Sequence, residues 1–436
     1  MKTRFVNPPV AFGKTVTQHR QAIEQLQRSI AKTAVFNFFI VSLVGVMLRA
    51  YPIYSISFPS FKNLLHAHSH FAFGGWVMPA LLAMLLKYFP EVAQLLPVRH
   101  LRNICLLMFM SSYGMLISFP FQGYALVSIV FSSLSIVSGF YLAYTFWVGT
   151  NDFKRQTPIR FIRAGLIYLT ISAIGPIATG PLIATGQAGS PIYFNSIYFF
   201  LHFQYNGWFT FAILAIIYRM INHETKTGKW AFTLTNVSCV PAYLLSTLWN
   251  HPGMAFNVVG GIAAALQLVA VCLIVHDVRR TPGIQLKNRL LQLAMIFFVA
   301  KNLLQFAGSF PYFADLAHRS RNFTIAYLHM ALLGFVTLFL IGAIIHRHRI
   351  EHPAKLQFGI RMLIVCFIVT EILLILNASG YNVTIGPLQF PALLLIASAF
   401  LPLSIFVIWK EIRFFKAKRK GEQIDTIWET RKETKS

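Results

Sequence analysis

Apolar residues in this chain run in long blocks instead of alternating with polar ones. Twelve blocks stand out, at 34–52, 64–89, 101–121, 125–149, 162–184, 191–219, 231–250, 254–276, 290–312, 322–346, 359–379 and 386–409. Each approaches or exceeds the roughly 20 residues that an α-helix needs to cross a hydrocarbon core. The gaps between them are short and carry the polar residues. This pattern predicts an all-α integral membrane protein with twelve transmembrane helices. Residues 1–33 read as a polar N-terminal tail with a short amphipathic surface helix over 15–32. A twelve-helix membrane domain spans 34–409, and 410–436 form a basic C-terminal tail. The first 33 residues hold no apolar core of the kind a signal peptide needs.

Composition agrees: 56% of the 436 residues are apolar and 12% are charged, against about 25% charged in a soluble domain. Cys105, Cys239, Cys272 and Cys366 are scattered singly, so neither a disulfide framework nor a thiolate metal site is indicated. The net charge of +25 would suggest nucleic acid in a soluble protein. Here it follows topology. Of 38 Lys and Arg, all but five fall on one side, in the tails, in the gaps after helices 2, 4, 6, 8 and 10, or in the helix ends that border those gaps. The exceptions are Arg49, Lys62, Arg319 and Arg321 on the other side, and Lys301 inside helix 9. The positive-inside rule makes the basic side cytoplasmic, with both termini there. The expected setting is a bacterial-type cytoplasmic membrane, the expected partner is the lipid bilayer, and nucleic acid is not expected. The basic run Lys416–Lys420 suits anionic lipid.

Orientation sorts the 14 histidines by depth. Seven fall at or beyond the cytoplasmic helix ends and read as interfacial residues. Of the others, His318 reads as a surface residue of the loop before helix 10. His66, His68 and His70 on helix 2, His202 on helix 6, His251 at the end of helix 7 and His329 on helix 10 lie in the outer half of the membrane. His202 is about eleven residues into its helix, roughly 16 Å deep at 1.5 Å per residue. Ionisable residues inside a bilayer are costly and usually mark function, and neutral imidazole is a common ligand for haem iron and copper. Lys301 and Glu371 are expected near mid-depth, as a mutual ion pair or as parts of a proton path.

The twelve-helix plan and the histidines on helices 2, 6, 7 and 10 resemble subunit I of the haem–copper oxidase superfamily, which includes the terminal oxidases and nitric oxide reductases. Four local motifs carry the likeness. Leu65 to Val77, with His66, His68, His70 and Gly74-Gly75-Trp76, is similar to the helix 2 segment that supplies one axial ligand of the low-spin haem. His68 fits best, and His70 and His66 remain alternatives. Thr324 to Gly334 resembles the helix 10 HxH segment: His329 matches the second low-spin ligand, and Tyr327 stands where the high-spin haem ligand belongs. His202 to Trp208 resembles the segment of the first copper ligand, with Tyr205 and Asn206 near the place of the reactive tyrosine or glutamate. Trp249 to Pro252 resembles WxHH, with His251 matching one copper ligand and Pro252 replacing the other. Membrane haem–copper proteins linked to nitric oxide stress share a similar plan.

The resemblance implies a bis-histidine low-spin haem held by His68 and His329. A second haem on Tyr327 is allowed, since tyrosine ligates haem iron elsewhere. His202 and His251 would form a depleted metal site at which copper binds weakly or not at all. Tyr327 and Tyr205 are the candidate catalytic groups. Electrons would come from quinol or a partner redox subunit. The functions to weigh are a haem oxidoreductase of oxygen or nitric oxide, a non-catalytic binder or sensor of haem, copper or nitric oxide, and a secondary transporter.

Overall fold

The computed structural model describes residues 14–281, 289–347, 353–380 and 389–412. These residues contain twelve helices long and apolar enough to cross a membrane, and no strand. We label them α1 (Val16–Ala50), α2 (Phe61–Tyr88), α3 (Val98–Gln122), α4 (Leu126–Gly149), α5 (Thr157–Ala184) and α6 (Pro191–Ile221). Then follow α7 (Lys226–Asn250), α8 (Met254–Arg280), α9 (Arg289–Ala307), α10 (Arg321–Arg347), α11 (Ala354–Ala378) and α12 (Gln389–Glu411). All twelve expected spans are present as helices.

The first helix runs unbroken from Lys14 to Ala50, so the helix expected over 15–32 continues directly into the first span. The reason is a continuous stripe: Ile23, Ile30, Ala34, Phe38 and Val41 recur at helical spacing and are all buried. Arg20, Glu24 and Arg28 pair along the opposite side. The tail beyond residue 412, with Lys416–Lys420, lies outside the described residues. α9 stops at Ala307 instead of 312, and a short helix, Pro311–Arg319, precedes α10.

Consecutive helices alternate in direction, which the contacts at each end show. At the basic end, Arg219 of α6 donates to the Glu91 carboxylate at 2.8 Å and the Tyr88 carbonyl at 3.1 Å. There too Glu224 accepts from Thr157 N and Oγ1 at 2.7 and 2.6 Å, and Asp277 accepts from the Tyr218 and Thr225 hydroxyls at 3.2 and 2.9 Å. At the other end, Trp249 Nε1 donates to Asn195 Oδ1 at 3.0 Å, and Asn257 Nδ2 to the Ser309 carbonyl at 2.8 Å.

Three helices form the interior. In α2, α6 and α10 the most apolar stretch is 67%, 89% and 72% buried, whereas in no other span does it exceed 50%. They lock together pairwise. Trp76 Nε1 of α2 donates to Thr337 Oγ1 of α10 at 3.0 Å, and Trp208 Nε1 of α6 to Met78 Sδ of α2 at 2.9 Å. Phe73 and Phe209 meet edge to face at 5.2 Å. The peripheral α4 instead turns Ile129, Val130, Val137 and Phe140 outward, the composition of a lipid-facing surface.

The interior helices share a departure from regular geometry. Each changes to a π-helical stretch: Ala72–Val77 in α2, Phe203–Phe209 in α6 and Met330–Thr337 in α10. π-Turns carry i→i+5 bonds, are rare, and are frequent at functional sites. Buried Asn37 of α1 steadies the first of them, donating from Nδ2 to the Gly75 carbonyl at 2.7 Å while its Oδ1 accepts from Tyr113 OH at 2.5 Å.

Candidate functional site

His66, His68 and His70 stand on one α-helix, where successive residues are 100° apart. His66 and His70 therefore share a face, and His68 points nearly the opposite way. The first pair turns to the end of α3 and the α3–α4 turn. His70 Nε2 lies 2.9 Å from Tyr124 OH and its ring stacks on Phe119 at 4.9 Å. His66 meets the Tyr124 ring edge-on at 4.7 Å. Burial there pushes the Tyr124 phenol above its ordinary pKa.

His68 turns instead toward α1 and α10. It lies against Gly45, where a Cβ would come 3.2 Å from His68 Cε1, and faces the Val41 carbonyl. It is also close enough to His329 and Arg49 for their charges to act on it. Of the three helix 2 candidates, His68 is thus the one the fold brings to His329.

His329 has a carboxylate behind it. Its Nδ1 is 3.4 Å from Glu371 Oε1 of α11, within ion-pair range, although that oxygen accepts no hydrogen bond of good geometry. The Glu371 side chain is 12% exposed, and Arg49 acts electrostatically on Glu371, His329 and His68 together. Two expectations change here. Glu371 does not pair with Lys301; its ion-pair partner among the described residues is His329. Arg49, which reads as a surface charge in the sequence, belongs to the site because α1 ends one residue after it, beside the outer turns of α2 and α10.

The second pair is not assembled. His202 is 1% exposed and uses both ring nitrogens: Nε2 donates to the Cys239 carbonyl at 2.8 Å, and Nδ1 accepts from Asn206 Nδ2 at 3.1 Å. His251 lies twelve residues beyond Cys239, and the intervening Pro241–Asn250 is a 3₁₀ helix. At about 2 Å per residue that stretch covers roughly 20 Å. His251 then takes a left-handed conformation (φ 51°) and presents a 78% exposed side chain, 4.0 Å from Asp315. The expected copper pair of His202 and His251 is therefore corrected: the histidines do not converge, and His202 has no free lone pair. His318, in the Pro311–Arg319 helix, lies in the same surface group, and burial lowers its pKa.

Tyr205 and Tyr327 approach each other between α6 and α10. Lys301 sits on the other side of Tyr205, with Nζ 6.0 Å from its ring centre, and is 2% exposed. It lines a small polar cavity with Asn206, Thr210, Thr235, Gln267 and Asn302. Among the described residues no carboxylate pairs with it.

Each interior helix thus places a histidine at or just before its π-helical stretch: His70 two residues before, His202 and His329 immediately before. Sequence periodicity could not find these stretches; the glycine-aromatic pairs Gly75-Trp76, Gly207-Trp208 and Gly334-Phe335, one inside each, were the available signal. Among the described residues, no three His, Cys, Asp or Glu are arranged to hold a bare metal ion. Compared with known proteins, the chain matches no family model and no curated protein.

Proposed function

We propose that this protein is a membrane haem protein related to the respiratory oxidases and nitric oxide reductases, holding a low-spin haem between His68 and His329. The observation that carries the reading is that His68, alone of the three helix 2 histidines, lies within electrostatic reach of His329 on a second interior helix. Three further features fit a haem there. Both imidazoles are partly accessible although their helices are the buried ones. Gly45 leaves room beside His68 that a larger residue would take. Glu371 stands behind His329 Nδ1, the place from which a carboxylate fixes the tautomer and leaves Nε2 to ligate. Arg49 supplies a cation for the acidic groups of the ligand. Bound, a bis-histidine haem would supply one-electron transfer.

The role we favour is electron transfer, with oxygen or nitric oxide chemistry in the same frame, and quinol or a partner redox subunit as donor. One observation favours a second reading, a non-catalytic binder or sensor. The two nitrogens of His202 are both spent within the protein, so the neighbouring metal centre lacks its imidazoles. Either role sits in a bacterial-type cytoplasmic membrane with the basic face and both termini inside.

The test is a reduced-minus-oxidised visible spectrum of the purified protein. A low-spin signal should disappear in His68→Ala and in His329→Ala and persist in His66→Ala and His70→Ala. Its absence from the unmodified, haem-replete protein would overturn the proposal. Its persistence in the His329 variant would overturn the ligand assignment.

A further inference from the structure

We propose that His66 and His70 form a divalent transition-metal site at the end of the bundle opposite the basic connections, separate from His68 and independent of any haem. Two imidazoles at i and i+4 on one helix face make a chelating pair, the spacing that helical zinc motifs use. Here the pair is already turned to one target. His66 and His70 both pack on Phe119 and Tyr124, which holds the rings in place.

The nitrogens are suited to the task. His66 Nε2 is shielded from solvent and has no hydrogen-bond partner, an arrangement that costs free energy unless something else takes its lone pair. His70 Nε2 has one partner, the Tyr124 hydroxyl at 2.9 Å. With that phenol donating, Nε2 carries the lone pair and the ring proton is on Nδ1, the tautomer a ligand needs. A metal would take the Nε2 lone pair and release the phenol to turn toward water. Asn63 lies one turn before His66 on the same face, with its amide beside Gly123 of the α3–α4 turn, so its oxygen is a further donor at hand. Water completes the shell.

Imidazole-rich sites prefer borderline ions, and the order of affinity runs Cu²⁺ above Ni²⁺ and Zn²⁺. Lys62, whose charge reaches His66, opposes a cation, so this is an exchangeable site and not a sequestering one.

The experiment uses the full chain without an affinity tag, in detergent, washed with chelator and titrated with Cu²⁺. Electron paramagnetic resonance should show one ion per chain with hyperfine splitting from two nitrogens. Ni²⁺ and Zn²⁺ should compete more weakly. His66→Gln and His70→Gln should each weaken binding by about tenfold or more, whereas His276→Gln, at the basic end of α8, should leave it unchanged. His70→Gln keeps an acceptor for Tyr124, so the local fold has its hydrogen bond. Should a variant fail to fold, protection answers instead: Cu²⁺ should block acylation of His66 and His70 in the unmodified protein, read by peptide mass. Undiminished binding in the double variant, no stoichiometric copper in the folded parent, or no protection would each overturn the site. Loss of the haem assignment would leave these outcomes untouched.

Discussion

A carboxylate 3.4 Å behind an imidazole changes what that imidazole can do. If Glu371 holds His329 Nδ1–H, it makes the ring a more basic donor and favours the oxidised metal. Glu371→Gln should therefore raise the haem midpoint potential, on the order of 60 mV for a tenfold loss of that preference, as redox titration would register. An unchanged potential would show that Glu371 serves Arg49 alone. Gly45→Val should lower haem occupancy, because even a Cβ there comes 3.2 Å from His68 Cε1; the ratio of haem to protein absorbance would report it. The sequence ranks His68 first of three candidates on helix 2, and the 100° step per residue explains why His66 and His70 face elsewhere. Arg49 was not readable. One charge near a span end looks like any other until the packing of α1, α2 and α10 is known.

At the scale of elements, the spans were legible because a run of about 20 apolar residues has few other uses. The interruptions were not. A π-turn adds one residue to a turn without changing its composition, so hydropathy passes straight through it. The helix over 15–32 was legible, but its continuity with the first span was not: Arg20, Glu24 and Arg28 make 14–33 look polar, and the stripe from Ile23 to Ala34 shows only when read at helical spacing. Asn37 tests how much the first π-turn depends on outside support. Asn37→Ala leaves the Gly75 carbonyl and the Tyr113 hydroxyl without their partner. Thermal unfolding in detergent should show a loss of about 1–3 kcal/mol; a change below a few tenths would mean that water replaces the amide. The end of α7 sets a second expectation. Because the 3₁₀ stretch carries His251 to the surface, Pro252→His together with Tyr327→His should not create a stoichiometric copper site, by metal analysis.

For the whole molecule, the twelve helices arrange three buried spans inside nine that carry more exposed surface. The carboxylates Glu91, Glu224 and Asp277 are all spent on joining helices at the basic end, so few acidic groups there offset the Lys and Arg that set orientation. Reporter fusions after residues 155 and 280 should read cytoplasmic, and one after 187 external. An external signal at 280 would reverse the assignment of faces and put the histidines in the inner half.

The surplus residue in each interior helix has a consequence for how such a site can change. Removing one residue from Ala72–Val77, Phe203–Phe209 or Met330–Thr337 would restore α-helical bonding there and rotate everything on the histidine side by about 100° about the axis. The half of the helix toward the basic end, with its tryptophan locks and ion pairs, would stay in register. Deletion of a single codon could thus re-aim one histidine without rebuilding the bundle, and three such places make the three histidine positions separately adjustable. The architecture holds its scaffold constant and leaves the direction of each ligand open to the smallest possible change in the gene.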